Sequence, residues 1–268
     1  MKFQIGAMSV GDILDRGLKL LLARLPTFFV IMFVVQLPVL VFQVVAPSLM
    51  QHNALGAVLV SSLGVLILAL ILTPIGTAAI LHVISQEFID RRVGVGDAFR
   101  VGLARFGSIL LGSFLAGLVI GFGFLLCIIP GLIFVSWFSF VSQVIVVEGR
   151  GAADALSRSK DLSEGYRLRI LGVWILLVII QAVLGGAEGM VLETLLPSAQ
   201  AVKTAAGFEI HYNTMNQILH QVLIFPVNAL VATYTSVCLT LLYFDLRIRK
   251  EGFDLELAAQ KQASLEGF

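Results

Sequence analysis

Two long segments of this chain contain no charged side chain, and they limit what the chain can fold into. Residues 25–84 and 106–147 carry no Asp, Glu, Lys or Arg. A soluble domain usually has about a quarter of its residues charged, whereas only 13% are charged here and 58% are hydrophobic. Because about 20 apolar residues cross the hydrocarbon core of a bilayer, each segment is long enough for two membrane spans. The sequence therefore predicts an all-α, polytopic membrane protein.

A third, mostly apolar interval at residues 170–244 is long enough for two further spans. The chain is thus predicted to form six transmembrane helices arranged as three hairpins. The predicted spans cover residues 26–46, 55–83, 108–129, 130–147, 170–192 and 217–244. The stretch between the last two spans, residues 193–216, is long enough for a short interfacial helix. We treat the whole chain, residues 1–268, as a single membrane domain.

The basic residues indicate which way the protein faces. Seventeen of the eighteen Lys and Arg residues lie in residues 2–24, 91–105, 150–169 and 247–261. Each hairpin returns the chain to its starting side, so these segments share one side, which the positive-inside rule assigns to the cytoplasm. Lys203 is the one basic residue predicted on the other side. The sequence therefore predicts that both termini, including a tail at residues 245–268, lie in the cytoplasm.

A short amphipathic segment precedes each predicted hairpin. Each contains an Asp at the start of a helical pattern, namely Asp12, Asp97 and Asp154. A carboxylate there can cap free N–H groups and meets the positive end of the helix dipole, so we expect interfacial helices that lie flat on the membrane. Either the hairpins are unrelated and each needs a capped entry helix, or they are three parallel repeats. The repeats would cover residues 9–84, 94–147 and 151–244.

Gly94-Val95-Gly96-Asp97 matches a pattern of intramembrane aspartyl proteases, but a helix cap is the favoured interpretation of Asp97. The sequence predicts no catalytic residue, no cofactor and no metal site. The motifs of zinc proteases, serine hydrolases, P-loop ATPases and dinucleotide-binding folds are absent. Ion-coupled carriers usually keep ionisable side chains at the centre of the membrane, and the predicted spans have none there. A net charge of +1 argues against a nucleic-acid partner. The expected partners are membrane lipids, with a membrane protein or a second copy of the chain left open.

One face of the third predicted span carries small residues at four-residue intervals. These residues are Ser113, Gly117 and Gly121. Small side chains at this spacing let helix backbones approach closely. The pattern favours helix packing within the bundle, and a seam between two copies of the chain is the alternative.

Two further motifs combine acidic and basic residues where predicted spans end on the cytoplasmic side. Glu148 ends the fourth span and Asp245 ends the sixth, where a carboxylate opposes the helix dipole at a cost of up to about 1 kcal/mol. We therefore expect cationic partners for both, drawn from Arg158, Arg247 and Arg249. Such pairs would tie the third interfacial helix to the C-terminal motif and form a docking surface. The alternative is a solvated rim, in which each pair contributes little.

Four motifs resemble the membrane domain of glycerophosphoryl diester phosphodiesterases, a domain that also occurs alone in bacterial inner-membrane proteins. They are Gly11-Asp12-Ile13-Leu14-Asp15-Arg16, Ile129-Pro130-Gly131, the segment from Glu148 to Ser159, and Asp245-Leu246-Arg247-Ile248-Arg249-Lys250-Glu251-Gly252. In those enzymes catalysis belongs to a separate barrel domain. Its His-Arg-Gly motif and metal-binding carboxylates have no counterpart in this chain. The resemblance therefore implies a location and a fold, and no activity.

The sequence supports two function hypotheses. The first is a non-enzymatic scaffold or accessory protein of the inner membrane that acts in membrane or lipid homeostasis. The second is a passive carrier or channel for a small or lipidic solute. A water-lined cavity that brings Gln36, Gln143, Gln181 and Asn228 together would favour the second.

Overall fold

The computed structural model describes residues 7–49, 54–87, 93–197, 199–204 and 207–252. Within them the chain is helical apart from one β-hairpin. The elements are α1 (Val10–Ala23), α2 (Leu25–Leu49), α3 (Ala54–Glu87), α4 (Val95–Leu126), α5 (Ile128–Phe138), α6 (Val141–Gln143), a π-helical turn (Val144–Glu148), α7 (Ala152–Ser163), α8 (Arg167–Leu195), β1 (Ala199–Thr204), β2 (Gly207–Tyr212) and α9 (Thr214–Glu251).

Six segments of the described chain are helical, long and apolar enough to cross a membrane, which confirms the predicted number of spans. They are Leu25–Val45, Leu59–Glu87, Val95–Leu126, Ile128–Glu148, Arg167–Leu195 and Met215–Glu251. Helix α3 packs extensively against both α2 and α4, whereas α8 and α9 touch over a much smaller area. The grouping of the spans into three hairpins therefore stays a prediction.

The connection between the last two spans is a β-hairpin, so the short helix expected in residues 193–216 is wrong. Strands β1 and β2 pair antiparallel, with Val202 opposite Glu209 and Lys203 opposite Phe208. The expectation rested on length alone. Residues 207–212 instead contain β-branched and aromatic residues after a glycine, which is a typical strand composition.

The three amphipathic entry segments do not share one structure. Helices α1 and α7 are separate short helices, but the expected interfacial helix around Asp97 is the first part of the continuous helix α4. Helix α1 ends at Ala23, before Arg24, whose backbone is no longer helical, and α7 is followed by Gly165 in a left-handed conformation, at φ 83°. The sequence from Asp97 to Leu126 contains no proline, so nothing there stops the helix.

The Asp residues of these segments also differ in their capping. Ser9 Oγ accepts from the backbone N–H of Asp12 at 3.1 Å, and the N–H of Ser9 donates to Asp12 Oδ2 at 2.8 Å, which forms a capping box. The hydrogen bonds with Ser9 lower the pKa of Asp12. Helices α4 and α7 begin after Gly94 and Gly151, which supply no side-chain cap. The repeat interpretation stays a prediction.

The glycines of the predicted packing face of α4 make no close contact within the bundle. Ser113, Gly117 and Gly121 are all exposed, and a Cβ atom added to either glycine would meet no atom within 4 Å. The adjacent face packs inside the protein. Its buried residues are Ala98, Gly102, Ile109, Gly112, Ala116 and Gly123. Both faces carry small residues, so their spacing alone could not distinguish them.

Burial is concentrated at one end of the bundle, which we call the basic end: residues 8–24, 78–87, 93–105, 140–170 and 237–252. Ten consecutive residues of α9, 237–246, are buried there, because α1, α2, α7 and α8 all contact this helix. The opposite end, with the β-hairpin and the adjoining ends of α8 and α9, is the hairpin end. No residue in 178–195 of α8 is buried.

Candidate functional site: a buried charge network at the basic end

Asp245 is the one charged side chain of the described residues that the fold buries completely, with 0% exposure. Its Oδ1 accepts from the backbone N–H of Met8 at 2.7 Å. Its Oδ2 lies 2.9 Å from Arg169 Nη2, and Arg249 Nε is 3.0–3.1 Å from both oxygens. A buried carboxylate is tolerated only when it is paired and hydrogen-bonded, and here two guanidinium groups and a backbone donor meet that need.

The same two arginines bind the backbone carbonyl of Met8. Arg249 Nη2 donates to this oxygen at 2.9 Å, and Arg169 Nη2 donates to it as well. Both polar backbone groups of Met8 are thus held, and its side chain is buried. One centre therefore joins the N-terminal segment to the start of α8 and the end of α9.

Glu148 is the second carboxylate of the network, and its side chain is 11% exposed. Arg158 Nε lies 3.0–3.1 Å from both of its oxygens, and Arg150 Nε donates to Oε2 at 2.9 Å. The phenol of Tyr243, which is fully buried on α9, donates to Oε1 at 2.9 Å. This centre connects the end of the fourth span to α7 and α9.

Arg158 links the second centre to the last turn of α9. Its Nη2 pairs with Glu251 Oε1, and Arg247 Nε donates to Glu251 Oε2 at 3.0 Å. Partial burial opposes the charged form of Arg158, but its hydrogen bonds to Glu148 and Glu251 outweigh that effect and raise its pKa. Lys250 Nζ also donates to the carbonyl of Asp161 in α7. Helices α7 and α9 are therefore joined at several points.

The structure places all five residues expected in this network close to its two centres. Glu148 meets Arg158, and Asp245 meets Arg249. Arg247 donates to Glu251. The tie between α7 and α9 runs through Arg158 rather than through Asp245, whose partners lie on α8, on α9 and in the N-terminal segment.

Sequence reasoning missed several members of the network, including Arg169, Tyr243 and Met8. Arg169 stands in a basic segment and Tyr243 in the C-terminal motif, so both could have been included on position alone. Met8 takes part through its backbone, for which the sequence gives no signal.

A break in the fourth span is stabilised by hydroxyl groups of α7. Helix α5 ends at Phe138, and the N–H of Phe140 donates to Ser159 Oγ at 3.1 Å. Ser159 Oγ itself donates to the carbonyl of Trp137 at 2.7 Å, and Ser163 Oγ lies 2.7 Å from the carbonyl of Ser136. Irregular backbone within a membrane helix is tolerated when neighbours satisfy the freed groups, and α7 supplies those neighbours.

The polar side chains of the spans do not share one environment. Gln143 is buried, Gln36 is half-buried, and Gln181 and Asn228 are exposed. A cavity of about 300 Å³ does lie between α3 and α4. It is mostly apolar and includes the hydroxyl groups of Thr73, Thr77, Ser113 and Ser142. Within the residues that the structure describes, no three His, Cys, Asp or Glu side chains are grouped to hold a metal ion.

The six apolar helices and the network that binds them at one end define a multi-pass helical membrane protein. A family profile, DUF7847, a domain of unknown function, matches residues 8–246. The chain therefore belongs to the DUF7847 family, and the match extends from Met8 past Asp245, so it includes both carboxylates of the network. No curated protein and no solved structure gives a match.

Proposed function

We propose that this chain is a non-enzymatic scaffold or accessory protein of a bacterial cytoplasmic membrane, acting in membrane or lipid homeostasis. The observation that carries the proposal is how the charges of the basic end are used. Asp245 and Glu148 each accept from two arginines and one further donor. Charges engaged in this way hold helices in place and favour a rigid platform over a reactive site.

The exposed face of α7 is the surface that this platform would present to a partner. Asp154, Lys160 and Asp161 are exposed on it, while Ala155, Ser159 and Leu162 point into the protein. Because α7 is fixed through Arg158, its exposed charges are held in a defined arrangement. Complementary charges contribute to specificity and association rate, so an ordered charged helix suits a protein partner.

The resemblance to the membrane domain of glycerophosphoryl diester phosphodiesterases supports the same role. In those enzymes catalysis belongs to another domain. We therefore propose that this chain acts as a stand-alone form of that membrane domain, and we expect the purified protein to hydrolyse no glycerophosphodiester. Turnover that is abolished by a single substitution would contradict both the non-enzymatic role and this expectation.

The scaffold role can be tested by co-purification from native membranes in lipid nanodiscs. A variant carrying Asp154→Lys and Asp161→Lys changes the exposed face of α7. The matched control is Asp15→Lys on α1, because both side chains of the Asp15–Lys19 pair are exposed. We expect a membrane-protein partner in near-stoichiometric amount with the wild type and the control, and its loss with the α7 variant. A partner retained by the α7 variant, or no stoichiometric partner, would contradict the proposal.

The proposed orientation places the basic end in the cytoplasm. In a background without the native cysteines Cys127 and Cys238, Ser157→Cys on the exposed face of α7 should react with an impermeant thiol reagent only after the cells are opened. Lys203→Cys in β1 should react in intact cells. The reverse pattern would invert the orientation.

A passive carrier or channel for a small or lipidic solute is the second candidate. The cavity between α3 and α4 favours it, because apolar walls with a few hydroxyl groups suit a mostly apolar solute. Solute flux into proteoliposomes that is reduced by Ser113→Leu, which would fill the cavity, would support this alternative. Unchanged flux relative to empty liposomes would exclude it for that solute.

A further inference from the structure

The first turn of α8 lies beside a cluster of cations that the charge network does not use. Lys160 Nζ is 4.8 Å from the centre of the Trp137 ring, and Arg167 Cζ is 5.1 Å from the same point. The two positive charges are therefore no more than about 10 Å apart, which is about the Debye length at 0.1 M ionic strength. Among the described residues neither has a carboxylate partner, in contrast to Arg158, Arg169 and Arg249.

The same corner contains two buried hydrogen-bond donors without an acceptor. Arg167 Nε and Trp137 Nε1 are both inaccessible to solvent, and neither has a partner among the described residues. A buried donor that makes no hydrogen bond is costly, so such groups call for an explanation such as a bound ion or water. Two cations and two unmet donors together favour a ligand that brings negative charge and several acceptor oxygens.

The shape of this corner suits a ligand from the membrane surface. An open depression of about 610 Å³ shares Arg167 with this corner, and its other lining residues are Gly165, Tyr166, Leu168 and Arg169. Its apolar wall, Leu168, is 86% exposed and lies in the first turn of a helix long and apolar enough to cross a membrane. An apolar side chain beside unpaired cations is the arrangement that meets the boundary between lipid headgroups and acyl chains.

We propose that Lys160, Arg167 and Trp137 form a binding site for a phosphate group, and that the phosphate belongs to an anionic phospholipid. The two cations would bind the phosphate oxygens, and Leu168 would contact the start of the acyl chains. Arg169 would form a fixed wall, because its guanidinium is already held by Asp245 and Met8. The inference rests on the membrane placement of the chain and not on the scaffold role.

The site carries its own fluorescent reporter. The chain has two tryptophans, and Trp174, whose indole donates to Ser139 Oγ at 2.8 Å, can be replaced. A Trp174→Phe protein in a neutral detergent therefore reports from Trp137 alone. We expect short-chain phosphatidylglycerol to change this emission saturably, and phosphatidylcholine with the same chains to bind more weakly.

Two variants separate a built site from general attraction between charges. Lys160→Gln with Arg167→Gln should weaken phosphatidylglycerol binding by at least roughly tenfold, since each basic side chain near the headgroups adds to the affinity. Arg100→Gln removes an exposed charge from the first turns of α4, at the same end of the bundle, and should leave binding unchanged. Thermal unfolding of each variant identifies any that fails to fold, and native mass spectrometry of retained lipids gives a second reading that does not depend on Trp137.

Inorganic phosphate distinguishes the two sources of a phosphate group. Saturation by inorganic phosphate at the same concentration as by the lipid would overturn the assignment to a phospholipid. The assignment would also fail if neither ligand gave a saturable change or if Arg100→Gln weakened binding as much as the double variant. If the α7 variant with Asp154→Lys and Asp161→Lys loses its protein partner but still binds the lipid, the lipid site and the scaffold role are independent of each other.

Discussion

The basic end and the hairpin end of the bundle hold their helices by different means. At the basic end residues 237–246 of α9 are buried without interruption, and Arg169 and Arg158 join Asp245 and Glu148 to neighbouring helices. At the hairpin end residues 178–195 of α8 have no buried member. Lipid tails are as apolar as the side chains they cover, so burial between helices gains little in a bilayer. Polar bonds, where the chain has them, therefore determine where the bundle is tightest.

The hydrogen bonds of the hairpin end join elements that follow one another in the chain. His220 Nε2 lies 2.9 Å from the carbonyl of Leu196, and Asn216 Nδ2 donates to the carbonyl of Pro197 at 2.9 Å. These contacts connect the end of α8 to the start of α9 across the β-hairpin. Residues at the basic end, in contrast, join elements separated by most of the chain. The two ends should accordingly respond very differently to substitution.

The largest effect is expected from Asp245→Ala. Removing this carboxylate leaves Arg169 and Arg249 close together without their anion, and breaking a buried ion pair in this way costs about 3–5 kcal/mol. Thermal or denaturant-induced unfolding in detergent would measure the loss of stability. Asp15→Ala is the control, because its exposed pair with Lys19 should contribute only about 0–1 kcal/mol. Equal effects of the two substitutions would remove the distinction between buried and exposed charges.

The second centre should give smaller, strongly coupled effects. Glu148→Ala and Arg158→Ala should each cost about 1.5–3 kcal/mol, the usual range for hydrogen bonds to charged groups. The double variant should lose less than the sum, because the side chains share one interaction and coupled pairs usually differ from additivity by about 0.5–3 kcal/mol. Small and additive losses would mean that these residues form a solvated rim.

Helix packing offers a comparison within α4 itself. A Cβ atom on Gly102 would lie 2.7 Å from the backbone carbonyl oxygen of Ile75, whereas a Cβ atom on Gly117 would meet nothing. Gly102→Ala should therefore destabilise the protein by roughly 1–2 kcal/mol, within the usual cost of overpacking. Gly117→Ala should leave stability unchanged or slightly higher. If Gly117→Ala were the more disruptive change, its face would be a contact between copies of the chain.

The smallest expected effect is the dependence of the α1 cap on pH. The pKa of Asp12 is lower in the folded protein, so the folded state binds a proton at this site less readily than the unfolded state. The stabilisation is therefore complete above the unfolded pKa and is lost as the pH falls below about 4. Hydrogen exchange of the first amides of α1 should accelerate in that range, after correction for the intrinsic rate, more than in Asp12→Asn. An identical pH dependence in both would contradict this role for Asp12.

The sequence was most informative where charge or apolar length was decisive. Two segments without charges were enough to predict four of the six spans, because burying charges in hydrocarbon is costly. The dipole argument at Glu148 and Asp245 correctly suggested that both carboxylates need cations. It could not choose among the arginines, because that depends on which helices meet.

The errors of sequence reasoning share a physical cause. The two small-residue faces of α4 differ by a rotation about the helix axis, and spacing alone does not tell which one meets α3. The β-hairpin was missed because its residues were assigned by length and not by their strand-like composition. Met8 was missed because it takes part through its backbone, and the residue type does not indicate which backbone groups will be bound.

The hydrogen bond between Met8 and Asp245 joins residues 237 positions apart, and this separation has a consequence for biosynthesis. Met8 is synthesised 237 residues before its partner Asp245, so this bond cannot form until the sixth helix has been synthesised. Until then, Met8 and Arg169 lack the carboxylate that both require. A chain interrupted before residue 245 keeps this unmet requirement, and the charge centre distinguishes a finished membrane protein from a truncated one.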